Sequence, residues 1–333
     1  MIRIQELLLM CLFAGSSASS TCGQYIYWRE AGDAADRINR CRLDGSECVA
    51  IIEDTSISCF IMDPGNDHIY WGRGAVPTGS IVRSDLDGSN VVELAASGST
   101  TSDIVLDHLH GKMYWTDFAQ GKIHRANLNG SNVELLDTVG LHVNGIDLDV
   151  GAGRMYYTLT AAGIVRRADL DAQNVETLVG TAGVAHDIDL DIAGGTMYFV
   201  AAGVQRANLD GSNVETLFDI GASGLALDRS TGHVYWSSRI EGKIKRGRID
   251  GTNAEDLIVG LTNPFEIAVL TAPGDLDGDG EVGLADYTIF SLCLNGVSQP
   301  PASSCPVGVD ADFDDNGTVD LADFAVFSRL FAG

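Results

Sequence analysis

Two acidic segments near the C-terminus carry side-chain oxygens at the spacing that a bound calcium ion requires. They are residues 275–286 and 312–323, and the second begins 37 residues after the first. Each has oxygen-bearing side chains at positions 1, 3, 5 and 12, a backbone carbonyl available at position 7, and Gly at position 6, where the turn is sharp. The predicted calcium ligands are Asp275, Asp277, Asp279, Glu281, Asp286, Asp312, Asp314, Asn316, Thr318 and Asp323.

The charge of this region supports cation binding. Residues 274–333 contain eleven Asp or Glu residues and a single basic residue, Arg329. Carboxylates packed so closely repel one another unless a cation lies among them. The sequence therefore predicts calcium as a cofactor, about two ions. A solvated acidic tail is the alternative.

Each loop leads into an apolar helical segment, at residues 284–294 and 321–331, whereas Pro and Gly precede the loops. Two loop-plus-helix units with Asp at position 12 resemble a type I dockerin, a small α-helical, EF-hand-like domain, over residues 274–333. The resemblance implies docking on a cohesin-like protein. The recognition positions hold Leu284-Ala285 and Leu321-Ala322 instead of the usual hydroxyl residues. A purely structural role for calcium is the other interpretation.

The rest of the chain is built from six repeats. An aromatic pair recurs at intervals of 37 to 44 residues. The pairs are Tyr27-Trp28, Tyr70-Trp71, Tyr114-Trp115, Tyr156-Tyr157, Tyr198-Phe199 and Tyr235-Trp236. Downstream of each pair stands an Arg, four residues before a turn sequence such as Asp-Gly-Ser-Asn. The arginines are Arg40, Arg83, Arg125, Arg167, Arg206 and Arg246.

Each repeat contains four short strands. An apolar strand ending in Asp comes before the aromatic strand in five repeats, at Asp63, Asp107, Asp149, Asp191 and Asp228. Asp-Gly and Asn-Gly supply the positive φ of tight hairpins. Four strands in about 42 residues make one propeller blade. The fold class is therefore mainly β, a six-bladed β-propeller over residues 22–271. The Asp and Arg present in nearly every blade are assigned to the fold.

The two ends of the repeat region are complementary. The chain enters at an aromatic strand, residues 24–28, and leaves at an innermost-strand equivalent, residues 265–270. One blade is therefore predicted to combine both ends of the chain, which leaves no open edge. Tyr114-Trp115-Thr116-Asp117 and its following Asn-Gly turn resemble the low-density lipoprotein receptor class B, or YWTD, repeat, and the similarity extends over residues 24–270. It implies an extracellular propeller that binds proteins without catalysis.

One strand position differs between blades. Four residues before the terminal Asp stand Cys59, Asp103, Gly145, Asp187, Gly224 and, by alignment, Glu266. These positions begin the innermost strands and should surround one mouth of the channel. Three carboxylates there could hold a cation or a basic ligand group, and bonds to neighbouring backbone N–H groups are the alternative. The predicted mouth site comprises Asp103, Asn144, His186, Asp187, Ser223 and Glu266.

The N-terminus predicts export. Arg3, the apolar run 7–14 and small residues up to residue 20 match a signal peptide. Its removal leaves six cysteines, and an even number favours disulfides in an exported protein. Cys41 with Cys48 and Cys293 with Cys305 each flank a loop and are the expected pairs, although about fifteen connectivities are possible.

The net charge of −25 opposes nucleic-acid binding, and no long apolar stretch after the signal peptide predicts a transmembrane segment. The sequence therefore predicts a secreted, non-catalytic binding protein. Its propeller would recognise an extracellular protein or glycan, and its dockerin-like domain would attach it to a partner with calcium. One alternative is an accessory component of an extracellular polysaccharide-degrading assembly. Another is a metal-dependent propeller hydrolase or lactonase that uses Asp103, Asp187 and Glu266.

Overall fold

The computed structural model describes most of the repeat region and parts of the C-terminal segment. The described residues are 25–32, 35–74, 79–140, 142–181, 183–229, 231–270, 284–295, 302, 304, 311 and 318–331.

Six four-stranded antiparallel sheets form the repeat region, one for each predicted blade. Blade I contains β1 (Tyr25–Glu30), β2 (Asp36–Arg42), β3 (Val49–Asp54) and β24 (Pro264–Leu270). Blade II contains β4 (Ile57–Asp63), β5 (His68–Arg73), β6 (Gly79–Asp85) and β7 (Val92–Gly98). Blade III contains β8 (Thr101–Asp107), β9 (Lys112–Asp117), β10 (Lys122–Asn127) and β11 (Glu134–Thr138).

The remaining three blades follow the same order. Blade IV contains β12 (Val143–Asp149), β13 (Arg154–Leu159), β14 (Ile164–Asp169) and β15 (Glu176–Gly180). Blade V contains β16 (Ile188–Asp191), β17 (Thr196–Val200), β18 (Val204–Asn208) and β19 (Glu215–Phe218). Blade VI contains β20 (Leu225–Asp228), β21 (His233–Ser238), β22 (Lys243–Arg248) and β23 (Glu255–Val259).

The ring closes as the sequence predicts. β24 pairs antiparallel with β1, with Val269 opposite Ile26 and Ile267 opposite Trp28. The innermost strands contact one another around the complete circuit, from β24 through β4, β8, β12, β16 and β20 and back to β24. The mainly β, six-bladed propeller is thereby confirmed.

The aromatic pairs join neighbouring blades. Adjacent residues of a strand point to opposite faces of the sheet, so the two aromatic rings of one pair enter different interfaces. Tyr70 of blade II packs with Met113 and Trp115 of blade III. Tyr235 of blade VI packs with Ile26 and Trp28 of blade I and seals the ring. All twelve aromatic residues of the pairs are buried.

The arginines form a second link between blades. Arg125 donates to the carbonyl of Leu170 in the next blade at 3.3 Å and to Glu134 in its own blade at 2.6 Å. Arg206 does the same with Ile249 at 2.8 Å and with Glu215. Both partners lie outside the Arg side chain's own strand, so the Arg fixes the outer strand and the neighbouring blade together.

The predicted tight turns take left-handed backbone conformations. Gly130 has φ of 81° and Asn132 has φ of 54°. A Cβ at Gly130 would lie 2.2 Å from the carbonyl oxygen of Leu94 in blade II, so the glycine also permits close contact between blades. The terminal Asp residues accept amide hydrogens from the following turn, as between Asp107 and His110 N at 2.9 Å.

Two helices lie in the C-terminal segment, α1 (Leu284–Cys293) and α2 (Leu321–Phe331). Phe290 stacks on Phe327 with ring centroids 5.1 Å apart, and both side chains are buried. In the part of the chain that the structure describes, neither these helices nor any other helix is long and apolar enough to cross a membrane.

Replacing Arg206 with Gln should destabilise the propeller by roughly 1–2 kcal/mol, because a charged hydrogen bond to the next blade is lost. Arg37→Gln is the matched control, since its ion pair with Glu53 is exposed, and its effect should stay within about 0.5 kcal/mol. Urea unfolding monitored by tryptophan fluorescence measures both. Equal losses in the two variants would contradict the proposed inter-blade role of Arg206.

Candidate functional site: the mouth of the central channel

The innermost strands all begin at one face of the propeller, around the mouth of the central channel. A cavity of about 430 Å³ occupies this mouth. All six blades contribute to its wall, with Arg29 and Phe265 from blade I, Ser58 from blade II, Phe118 from blade III, Asn144 from blade IV, His186 from blade V and Arg239 from blade VI. A ligand seated here would therefore contact the entire ring.

Two of the predicted site residues line the cavity and contact each other. Asn144 Nδ2 lies 3.2 Å from His186 Nδ1. Burial, and then the nearby charge of Arg239, lowers the pKa of His186. The imidazole is therefore neutral near pH 7. With Nδ1 accepting the Asn144 amide, Nε2 carries its proton.

Asp103 and Asp187 use their carboxylates to join blades. Asp103 accepts the amide of Ile104 at 2.8 Å and the amide of Ile146, in the next blade, at 2.7 Å. Asp187 accepts the amides of Ile188 at 2.9 Å and of Leu225, in the next blade, at 2.7 Å. This is the alternative that the sequence left open, in which backbone N–H groups are the partners.

Glycines alternate with these carboxylates for a steric reason. A Cβ at Gly145 would lie 2.9 Å from Asp187 Cα, and one at Gly224 would lie 2.6 Å from the carbonyl oxygen of Phe265. The inner strands of neighbouring blades approach too closely there for any side chain. Ser223, the remaining predicted residue, donates its backbone N–H to Ser237 O at 2.9 Å, and it is not part of the cavity wall described above.

Glu266 is the third acid at this inner-strand position, and with Asp103 and Asp187 it forms the first layer of acids in the channel. Its side chain is 8% exposed, and burial together with the charges of Asp187 and Asp103 raises its pKa well above the ordinary value. Burial also raises the pKa of Asp103, and it raises the pKa of Asp187 to about 7. Burial in this layer therefore favours the protonated form of all three acids.

The metal site suggested for these three acids is not formed. Within the described residues, no group of three His, Cys, Asp or Glu side chains is close enough to hold a metal ion. Asp103 and Asp187 direct their oxygens to backbone amides of neighbouring blades instead. The geometry therefore gives no support to a hydrolase or lactonase mechanism at Asp103, Asp187 and Glu266.

Sequence reasoning missed a second layer of acids, at Asp147 and Asp189. Asp147 accepts the amides of Leu148 and of Leu190 in the next blade, both at 2.8 Å. Asp189 accepts the amide of Leu227 at 2.9 Å and pairs with Arg229 at 2.7 Å. A signal was present, because only two blades carry an acid at this inner-strand position.

Three further residues of the cavity were also missed. The guanidinium carbon of Arg29 lies 5.7 Å from the ring centroid of Phe265, and that of Arg239 lies 5.3 Å from it. Cation–π contact therefore holds both arginines at the mouth. Arg29 follows the aromatic pair of blade I and Phe265 precedes Glu266, so both stand at positions that the repeats align, but no other blade carries an Arg or a Phe there.

The cysteines of the described residues are in two states. Cys41 and Cys48 form a disulfide. Cys293 is disulfide-bonded, and the residue predicted to pair with it, Cys305, lies outside the described residues. Cys59 is a buried free thiol whose pKa is raised by burial and by the neighbouring acids Asp103 and Glu266.

Most predicted calcium ligands lie outside the described residues, namely Asp275, Asp277, Asp279, Glu281, Asp312, Asp314 and Asn316. The backbone of Asp286 is in α1, but its side chain is not among the described groups. Asp323 is described and buried, and its Oδ2 accepts the amide of Asp320 at 2.8 Å. Thr318 donates to Asp320 Oδ2 at 3.4 Å. The calcium loops and the dockerin-like domain remain predictions.

Comparison with known proteins identifies the type of repeat. Residues 111–149 match the low-density lipoprotein receptor repeat class B. This confirms the predicted YWTD type for the segment from β9 to β12. A vitellogenin receptor of Solenopsis invicta is 24% identical over 87 residues, which are 24% of this chain and 5% of that receptor. The chain thus spans only a small part of the length of this relative.

Solved structures share the fold at low identity. The nidogen/laminin complex contains a chain similar to this one with a TM-score of 0.65 and 18% identity, covering 74% of this chain and 98% of that chain. TolB from Acinetobacter baumannii has a TM-score of 0.64 and 14% identity, covering 79% and 69%. These similarities establish the propeller fold.

The channel acids predict an unusual dependence of stability on pH. Burial, and then the charge of Asp189, raises the pKa of Asp147 from 3.8 to about 8. The folded state then binds this proton more tightly than the unfolded state, so the free energy of unfolding should fall as pH rises from about 4 to about 8. Asp147→Asn should make that decline shallower.

Thermal unfolding between pH 4 and pH 8 at fixed calcium concentration measures this decline. Asp210→Asn is the control, because its bonds to Ser212 lower the pKa of Asp210 and keep it ionised over most of the range. Its slope should equal that of the unsubstituted protein. An Asp147→Asn variant with an unchanged slope would show that this carboxyl does not titrate as inferred.

Proposed function

We propose that this protein is a secreted, non-catalytic binding protein whose propeller recognises a protein partner at the channel mouth. The cavity of about 430 Å³ that all six blades line is the observation that carries the proposal. Its size and its mixture of aromatic, amide and cationic groups suit recognition of a few partner side chains. The YWTD type of repeat supports an extracellular protein-binding role.

The rim of the mouth also offers apolar surface. Ile240 follows Arg239 in the loop between β21 and β22, and its side chain is 93% exposed. On the other side of the ring, between blades III and IV, Phe118 stacks on His142 with ring centroids 4.4 Å apart. Exposed apolar groups beside a polar cavity are the usual composition of a binding surface.

Ile240→Asp should weaken partner binding at least about tenfold, since a charge would be placed in the apolar part of the interface. Val133→Asp is the matched control, because Val133 is 47% exposed and follows a turn at the opposite face. The full chain, immobilised, would first be exposed to the extracellular proteins of its source. A protein that it retains would then be purified and its affinity measured by surface plasmon resonance.

The two variants separate the possible outcomes. Loss of affinity in Ile240→Asp with unchanged affinity in Val133→Asp supports recognition at the mouth. A purified partner that binds both variants equally well would rule out the mouth as the recognition surface. Failure to find any direct protein partner would count against the proposed function as a whole.

We further propose that the C-terminal segment binds calcium and attaches the protein to a second partner. Leu284 and Leu321 begin α1 and α2, and they are 64% and 67% exposed. Phe290 and Phe327, farther along the same helices, are buried. The matching exposure at equivalent positions of the two units supports a docking role for these leucines.

Calcium titration of the metal-free full chain should give about two bound ions. Asp275→Ala and Asp312→Ala should each reduce that number to about one, because each removes the first ligand of one loop. Asp310→Ala, an acid just outside the second loop, should leave it unchanged. Isothermal titration calorimetry gives the stoichiometry, and a chain that binds no calcium at millimolar concentration would contradict the assignment.

A further inference from the structure

The channel mouth concentrates positive charge in a strongly acidic protein. The net charge of the chain is −25, yet two guanidinium groups lie against one aromatic ring at the mouth. Arg29 and Arg239 are 5.7 Å and 5.3 Å from the centroid of Phe265. They come from the first and last blades of the propeller, so only closure of the ring brings them together.

The two arginines differ in how their charge is balanced. Arg29 pairs with Asp36 at 3.2 Å, and its buried Nε has no hydrogen-bond partner. Asp36 also accepts the amides of Gly32 and Ile57. Arg239 is exposed, and no acidic side chain of the described residues forms an ion pair with it. At least one full positive charge at the mouth therefore lacks a counter-ion within the described chain.

The acids deeper in the channel do not cancel this charge. Asp103 and Asp187 each accept two backbone amides, and neither forms an ion pair with a basic side chain of the described residues. Burial raises the pKa of both and of Glu266, although Arg29 acts in the opposite direction on Glu266. The neutral form of these carboxyls is favoured, so they offset the charge of the arginines less than ordinary carboxylates would.

The groups around the two arginines indicate which features a bound anion would carry besides its charge. Ile240 adjoins Arg239 and is almost fully exposed, and Asn144 and the neutral His186 provide polar contacts across the cavity. An Arg guanidinium presents parallel N–H donors that match the two oxygens of a carboxylate. An apolar residue beside that carboxylate would cover Ile240.

We infer that the mouth binds an acidic peptide segment, in which an Asp or Glu carboxylate pairs with Arg239 and Arg29 while an adjacent apolar residue covers Ile240. This inference rests on the proposed protein-binding function and specifies the chemistry of the partner. Both guanidiniums are held by Phe265 before the ligand arrives, so little side-chain freedom remains to be lost on binding.

The test uses blocked heptapeptides with a fixed central Asp, Asn or Lys and varied flanking residues, presented on an array to the full chain. Asp-centred peptides with an apolar neighbour should bind about tenfold better than their Asn-centred matches, as expected for a charge-assisted bond. Raising the salt concentration from 0.15 M to about 0.5 M should reduce that preference. Arg239→Gln should abolish it, and Arg239→Lys should retain part of it.

Arg248→Gln is the matched control, because Arg248 is an exposed arginine of the same blade at the opposite face. It should bind the peptides as the unsubstituted protein does. Equal binding of Asp- and Asn-centred peptides, or a preference that survives Arg239→Gln, would overturn the inference. If such peptides still lose binding with Ile240→Asp, mouth recognition stands and only the acidic chemistry fails.

An acidic glycan offers the same carboxylate chemistry and forms a separate arm of the test. A tetramer of galacturonic acid would be added as a competitor to the bound peptides. Weak competition is expected, since a sugar ring provides no apolar side chain to cover Ile240. If the tetramer displaces the peptides at concentrations well below the peptide concentration, the natural occupant is a glycan. That result would overturn the assignment to a peptide.

Discussion

The structure depends on the alternation of side chains along a single strand of each blade. Because adjacent residues of a strand face opposite sides of the sheet, a pair of neighbouring aromatic residues reaches two different blade interfaces. Tyr114 packs towards blade IV, whereas Trp115 packs towards blade II. Each blade therefore needs a neighbour on both sides, and only a closed ring satisfies all six pairs.

Closure of the ring determines which residues can vary between blades. With the second strand of each blade committed to the interfaces, the innermost strands can carry residues that differ from one blade to the next. Asp103, Asp147 and Asp187 use this freedom to bond the amides of neighbouring inner strands. The strand ends and loops at the mouth also differ from blade to blade, and they contribute the arginines and aromatic groups of the cavity.

The repeated part of the molecule could be predicted from sequence because each repeat provides an independent copy of the same signal. Blade number, hairpin turns, ring closure and the structural role of the Arg ladder all follow from registered repeats. The mouth site was predicted only in part. Asn144 and His186 line the cavity, but Arg29, Arg239 and Phe265 were missed, because alignment of the repeats identifies equivalent positions and does not show which side chains meet across the ring. Asp103 lies in the innermost strand β8 and Asp187 directly precedes the innermost strand β16, as the repeats predict, but the sequence could not decide whether they face a ligand or an amide.

The sequence by itself determined which residues are equivalent, because a fixed period places like residues at like positions in every blade. It also determined that the first and last strands of the ring share one sheet. The repeat region begins at an aromatic strand without an innermost strand before it, and it ends with an innermost strand that no aromatic strand follows. Only the tertiary structure decided how inequivalent residues meet. Arg29 and Arg239 are separated by most of the chain, and they share the ring of Phe265 because closure brings the first blade beside the last. Distances across a ring depend on the packing of all six blades, and no local pattern in the chain encodes them.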